Sequence, residues 1–196
     1  MKEMSQSNIL DQLKNKIYLI AGDASPRKFY RFNCKKQLLV YCSKDKKNNL
    51  VNYFKINDYL NLNKIKAPFT IKKNIKKNYI IIEDFGDNLI KKIIQKKKNK
   101  FLYFKKIINE LVKLQKIKPN KTLPRYSKKL LINELNLFYQ WYLPEFFCIE
   151  QVKKIKKKIN SILIKYIKQT LKFNKVFVHR DFHIENLILS KGKICL

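Results

Sequence analysis

Glycine, alanine and histidine are nearly absent from this chain, at three, three and two residues among 196. In so glycine-poor a sequence each glycine marks a place where positive φ or close backbone approach is useful. Gly22 opens a turn between two strand-like segments, Gly86 sits where the pattern changes from strand to helix, and Gly192 lies in a terminal hairpin. Cysteine is sparse as well. Cys34, Cys42, Cys148 and Cys195 stand far apart with no CxxC pair, which argues against a zinc site or a disulfide framework and fits reduced thiols. No apolar stretch is long enough for a signal-peptide core or a membrane span. A soluble, cytoplasmic protein without membrane insertion is expected.

Acidic residues are few, 14 against 45 basic, for a formal net charge of +31. That balance raises the possibility of a basic module that binds RNA or an anionic surface. Arginine, however, is scarce: Arg27, Arg31, Arg125 and Arg180 are all there is, and the other 41 basic residues are lysines. Lysine is the poorer choice for bidentate recognition of bases and phosphates. The lysines are also spread along the chain, and no basic motif interleaved with aromatics, as RNA readers use, is present. Lysine shares A/T-rich codons with the abundant Ile, Asn, Tyr and Phe. Most of the charge is therefore read as composition written onto solvated faces, and no specific nucleic-acid partner is expected.

What is present has a clear order. Residues 7–17 carry Ile9, Leu10, Leu13 and Ile17 at helical spacing. IYLIAG, RKFYRFN and KQLLVYC then alternate as three short strands of an antiparallel meander. A helix is predicted over 49–62, strands at FTIKKNI and NYIIIED, and helices over about 88–96, 101–116, 127–142 and 150–171. Strand character returns at KVFV, and NLILS-KG-KICL closes the chain as a tight hairpin. Five strands with one helix, followed by a helical half, is an α+β plan in two lobes. The expected domains are 1–88 and 89–196.

Both histidines fall in VFVHRDFHIENLIL (176–189). An aspartate held between two strands can take the proton of an attacking hydroxyl. An asparagine beyond it can offer an amide oxygen to Mg²⁺ on nucleotide phosphates. H-R-D-x-x-x-x-N thus describes phosphoryl transfer, with Asp181 as base and Asn186 as metal ligand on one loop.

This loop resembles the catalytic loop of kinase-like phosphotransferases, and His183 makes it D-x-H-x-x-N, as in the aminoglycoside phosphotransferase and choline kinase branch. AGDASPRKFYRF, YIIIEDFGD and LINELNLFYQWYL resemble, in the same order, segments of the bacterial N-acetylmuramate/N-acetylglucosamine kinase group. The resemblance implies a protein-kinase-like two-lobed fold using ATP and Mg²⁺, with a catalytic loop at 179–186 and a small-molecule acceptor. An amino sugar of the cell wall is the expected acceptor; an aminoglycoside- or choline-type acceptor is the alternative. It implies that Gly22, Asp23, Ala24 and Ser25 close over the triphosphate. Glu83, Asp84 and Phe85 would pair with adenine through their backbone, leaving the two acidic side chains solvated. His179 and Arg180 would brace the loop, and His183 would touch either the metal surroundings or the substrate. Glu134, Trp141 and Tyr142 would belong to the core or cleft of the helical lobe, with Trp141 in the core.

Two departures stand out. LLVYC has no lysine inside the third strand, Lys44 lying just past its end, so the cation for the α/β-phosphates is not identified. The chain also stops at KGKICL, on the strand after which the family places an Asp-containing metal motif. The helical lobe is therefore expected to be incomplete and the 196 residues alone to be inactive.

Overall fold

The computed structural model describes residues 9–21, 25–96, 98–118, 127–173 and 176–196. After a one-turn helix α1 (Ile9–Gln12) come β1 (Ile17–Ala21), β2 (Arg27–Phe32) and β3 (Gln37–Cys42), then α2 (Lys47–Leu62), β4 (Thr70–Asn74) and β5 (Tyr79–Glu83). The helices α3 (Ile90–Lys96), α4 (Phe101–Lys116), α5 (Lys128–Leu137) and α6 (Ile149–Thr170) precede a short hairpin of β6 (Ile188–Ser190) and β7 (Lys193–Cys195). The predicted strands and helices are found within a few residues of these bounds, with three differences. Of the helical pattern over 7–17, residues 7 and 8 lie outside the described residues, and the helix ends at Gln12, giving way to turns at 13–16. The last five residues of the predicted 127–142 helix form a π-helical turn, Phe138–Tyr142. Among the described residues of KVFV, 176–178, no strand forms.

The sheet is antiparallel with order β1-β2-β3-β5-β4. Composition explains who sits in the middle. β3 and β5 are apolar on both faces (LLV and YIII), so each must be covered on both sides. β4 carries Lys72 and Lys73, which suit an exposed edge. One face of the sheet packs on α2: Val40, Cys42, Leu50, Ile80 and Ile82 are buried together, with Phe29, Tyr53 and Phe54 against them.

The chain divides into two compact units, Met1–Lys118 with Phe177–Leu196, and Pro119–Val176. Within the first, two further clusters hold the segment 179–196 in place. Leu60, Ile65, Ala67, Leu114 and Ile117 form one, and Ile90, Ile94, Ile107, Leu187 and Ile194 the other; Phe182 packs against both. The β6–β7 turn is Lys191-Gly192 with φ of 48° and 76°, the two left-handed residues that a type I′ hairpin needs. The second unit is an α5–α6 pair around Tyr139 and Leu143, with the Tyr139 hydroxyl 3.1 Å from Asn160 Oδ1. Among the described residues no helix is long and apolar enough to cross a membrane.

Candidate active site

The loop 180–187 lies between an extended segment and β6, and its far side is tied down by backbone bonds. Ile90 N–H donates to the Leu187 carbonyl (2.9 Å), Lys91 N–H to Ile184 (3.1 Å), and Leu189 N–H to Asn88 (2.9 Å). Lys91 also pairs with Glu185, which holds that carboxyl below its ordinary value. Phe182 is the loop's anchor in the core, so its neighbours Asp181 and His183 are left facing out.

Three side chains converge there. Asn186 donates from Nδ2 to Asp181 Oδ2 (2.6 Å) and to the Asp181 carbonyl (3.1 Å). His183 Nε2 lies 3.0 Å from Asp181 Oδ1, while its Nδ1 accepts from the Glu185 N–H at 3.2 Å. An Nδ1 that accepts is unprotonated, so in the neutral ring the proton is on Nε2 and is donated to Asp181. Asp181 is therefore a carboxylate gripped from two sides yet 69% exposed, open to an incoming hydroxyl. The Asn186 amide oxygen takes no part in these bonds and remains as an oxygen donor. The loop's remaining members differ in kind. Arg180 has φ of 74°, a conformation that a non-glycine residue seldom adopts and that turns the chain between His179 and Asp181. His179 is half-buried with its ring edge-on to Phe182 (centroids 5.8 Å apart), and Nδ1 has no hydrogen-bond partner among the described residues. Burial pushes its pKa down, against the opposing pull of the Asp181 carboxylate and backbone.

At the end of β5 the chain makes the segment expected to meet adenine. Glu83 N–H donates to Phe69 and Asp84 N–H to Lys36, at 2.9 and 3.2 Å. Phe85 thus carries the backbone N–H of this segment that no protein carbonyl takes among the described residues. Glu83 is half-buried and paired with Lys66 Nζ (3.0 Å), whose ammonium also lies 5.1 Å from the Phe85 ring. The expectation that Asp84 is solvated is overturned. Its side chain is 8% exposed, and Arg31 grips it twice, Nε to Oδ2 at 2.7 Å and a terminal nitrogen to Oδ1 at 3.1 Å. The other terminal nitrogen of Arg31 reaches both oxygens of Asp87, at 2.7 and 2.8 Å. Burial alone would weaken the guanidinium's hold on its proton, but the bonds to Asp84 and Asp87 outweigh it and raise the pKa above its ordinary value. Gly86, at φ 82°, turns its N–H back to Asp84 Oδ1 at 2.8 Å. Sequence reasoning missed this clasp because its partners lie more than fifty residues apart.

Of the residues expected over the triphosphate, Gly22, Asp23 and Ala24 lie outside the described residues. Ser25 is half-buried, and its Oγ accepts from the Arg27 N–H at 3.2 Å, which leaves the hydroxyl proton to be donated. In the second unit Glu134 is half-buried on α5, whereas Trp141 is 74% and Tyr142 56% exposed. The core placement of Trp141 is thus corrected. The π turn changes the angular step per residue, so Tyr139 and Leu143 enter the interior and Trp141 does not.

Among the described residues no group of three or more His, Cys, Asp or Glu could hold a metal ion. Mg²⁺ keeps several waters and takes one or two protein oxygens together with substrate phosphates, and the Asn186 amide oxygen fits such a role.

The sequence profile of the phosphotransferase enzyme family, APH, matches residues 91–196. N-acetylmuramate/N-acetylglucosamine kinase of Neisseria meningitidis is 24% identical over 178 residues, which are 88% of this chain and 53% of that protein. The Pseudomonas aeruginosa protein of that name is 24% identical over 172 residues, 87% and 51% of the respective chains. This chain therefore spans about half the length of the curated relatives it matches. Among solved structures, the streptomycin–ATP complex of the aminoglycoside phosphotransferase APH(2")-IIa superposes with a TM-score of 0.66 at 14% identity, covering 100% of this chain and 70% of that one. Choline kinase LicA from Streptococcus pneumoniae gives 0.62 at 14% identity, covering 96% and 66%. The fold is the protein-kinase-like α+β fold of these enzymes. Its profile match takes in more than half of the residues, and the chain belongs to the phosphotransferase enzyme family.

Proposed function

We propose that this chain carries the nucleotide site and catalytic loop of an ATP-dependent kinase that transfers the γ-phosphoryl group to a hydroxyl of an amino sugar. The observation that carries the reading is the Asp181 carboxylate, exposed at its face and oriented by His183 and Asn186. In this reading Asp181 accepts the proton of the acceptor hydroxyl as the oxygen attacks. The Nε2–H of His183 keeps the carboxylate aimed, and His179 and Arg180 set the loop's turn. Asn186 supplies an oxygen to Mg²⁺, which when bound neutralises charge on the transferring phosphoryl group. Residues 22–25 cover the triphosphate, and the Glu83 carbonyl with the Phe85 N–H receives adenine. Residues 1–88 supply the nucleotide lobe and 89–196 the part of the helical lobe that bears the catalytic loop. Use of ATP and a soluble sugar fits a cytoplasmic enzyme. The amino-sugar acceptor draws support from the relatives at 24% identity, both named for N-acetylmuramate and N-acetylglucosamine.

The test is phosphate transfer by the full-length gene product from ATP to N-acetylmuramate, N-acetylglucosamine, choline and an aminoglycoside. Amino sugars are expected to be preferred. Asp181→Asn is expected to lower turnover by about 10²–10⁴-fold with ATP binding retained. Turnover on choline or the aminoglycoside alone would refute the acceptor, and an Asp181→Asn enzyme within a few-fold of wild type would refute the base.

A further inference from the structure

Kinase-like phosphoryl transfer needs a cation on the α/β-phosphates, and protein kinases supply it as a lysine on the third strand. Here the interior of β3 offers none. Its last residue, Cys42, is buried, and its thiol donates to the Pro26 and Lys46 carbonyls, each at 3.2 Å. Burial raises that thiol's pKa, so it stays neutral. Lys44, just beyond, is exposed in a 3₁₀ turn.

Directly across from Cys42 in the ladder stands Arg27 of β2. Phe29, two residues on, packs into the cluster that holds Val40 and Cys42 against α2, so by the two-residue period of a strand Arg27 leaves the same face. Its guanidinium lies 4.7 Å over the ring of Tyr53 on α2. Its Nε is buried and has no hydrogen-bond partner, and no carboxylate pairs with it among the described residues. The supports around it are neutral: Tyr53, and behind Tyr53 the buried Asn57. The other sheet arginine, Arg31, is fully spent on Asp84 and Asp87. Arg27 is thus a half-buried cation over an aromatic ring, with Nε unspent and no carboxylate paired to it among the described residues. It also stands two residues after Ser25, whose Oγ accepts from the Arg27 N–H.

We propose that Arg27 is the phosphate-pairing cation of this protein, contributing from the second strand what protein kinases contribute from the third, with Tyr53 as its platform. The inference rests on the nucleotide site proposed above. A planar guanidinium can take two phosphate oxygens at once, which a lysine ammonium cannot do in fixed geometry.

The experiment measures binding of Mg²⁺-ATP, Mg²⁺-ADP and adenosine to the 196-residue chain by calorimetry, in wild type, Arg27→Met, Arg27→Lys and Tyr53→Leu. Arg27→Met is expected to weaken ATP and ADP by roughly 10- to 100-fold, the loss of hydrogen bonds to a charged group, with adenosine unchanged. Arg27→Lys regains part of the loss, and Tyr53→Leu shows a smaller loss for ATP and ADP only. Unchanged adenosine affinity also shows that the variant has folded. The proposal is overturned if Arg27→Met binds ATP as wild type does while wild type prefers ATP to adenosine, because another group then pairs the phosphates. Equal weakening of all three ligands overturns it too, by making Arg27 a structural residue. A wild-type chain that binds none of them overturns the nucleotide site itself, and Arg27's role with it.

Discussion

Replacing Arg31 with methionine keeps much of the side chain's apolar stem but leaves Asp84 without its cation. The two arms of the clasp differ in worth. Asp87 is 74% exposed, so its arm is a surface ion pair worth about 0–1 kcal/mol. Asp84 is 8% exposed and Arg31 15%, so that arm is a buried pair, and removing one partner of such a pair costs roughly 3–5 kcal/mol. Asp84 keeps its bond from the Gly86 N–H, which offsets part of the loss. A destabilisation of about 2–3 kcal/mol is expected for Arg31→Met, or a fall in Tm of roughly 4–12 °C for a chain of this size. Thermal unfolding by circular dichroism gives the shift, and amide hydrogen exchange places it. Protection should fall in β2 and residues 83–88, while the chain's single tryptophan, Trp141, reports on the other unit and should not respond. Adding Asp84→Asn to the methionine variant should recover much of the loss, since the unpaired buried carboxylate is then gone. An Arg31→Met protein within about 0.5 kcal/mol of wild type, with no rescue by Asp84→Asn, would refute the reasoning.

Two further outcomes follow from burial. The folded state resists protonation of His179, so as pH falls the unfolded chain binds the proton first, and stability drops below about pH 6.5 until the folded imidazole itself titrates. His179→Gln should flatten that slope in urea unfolding between pH 7.5 and 5.5, and an unaltered slope would assign it to other groups. The exposed Cys34 and Cys148 should react rapidly with a thiol reagent in the native protein, and the buried Cys42 and Cys195, whose thiols burial pushes up, only on unfolding. Four fast thiols would contradict the packing of β3 on α2 and of β7 in its cluster.

Local pattern carried most of what the sequence alone determined. Strands and helices were legible because alternation and helical spacing are written over neighbouring residues. The convergence of Asp181, His183 and Asn186 was legible because they lie within six consecutive positions, so their spacing is nearly their geometry. Tertiary structure decided what depends on partners far along the chain. The insertion of β5 between β3 and β4 follows from the need to cover two strands that are apolar on both faces, and no local signal names the neighbour. The Arg31 clasp spans more than fifty residues, and the meeting of Arg27 with Cys42 and Tyr53 requires both the β2–β3 register and the docking of α2. Trp141 shows the reverse error: the family resemblance implied a core position, but the π turn shifted the angular phase, and rotation about a helix axis accumulates residue by residue.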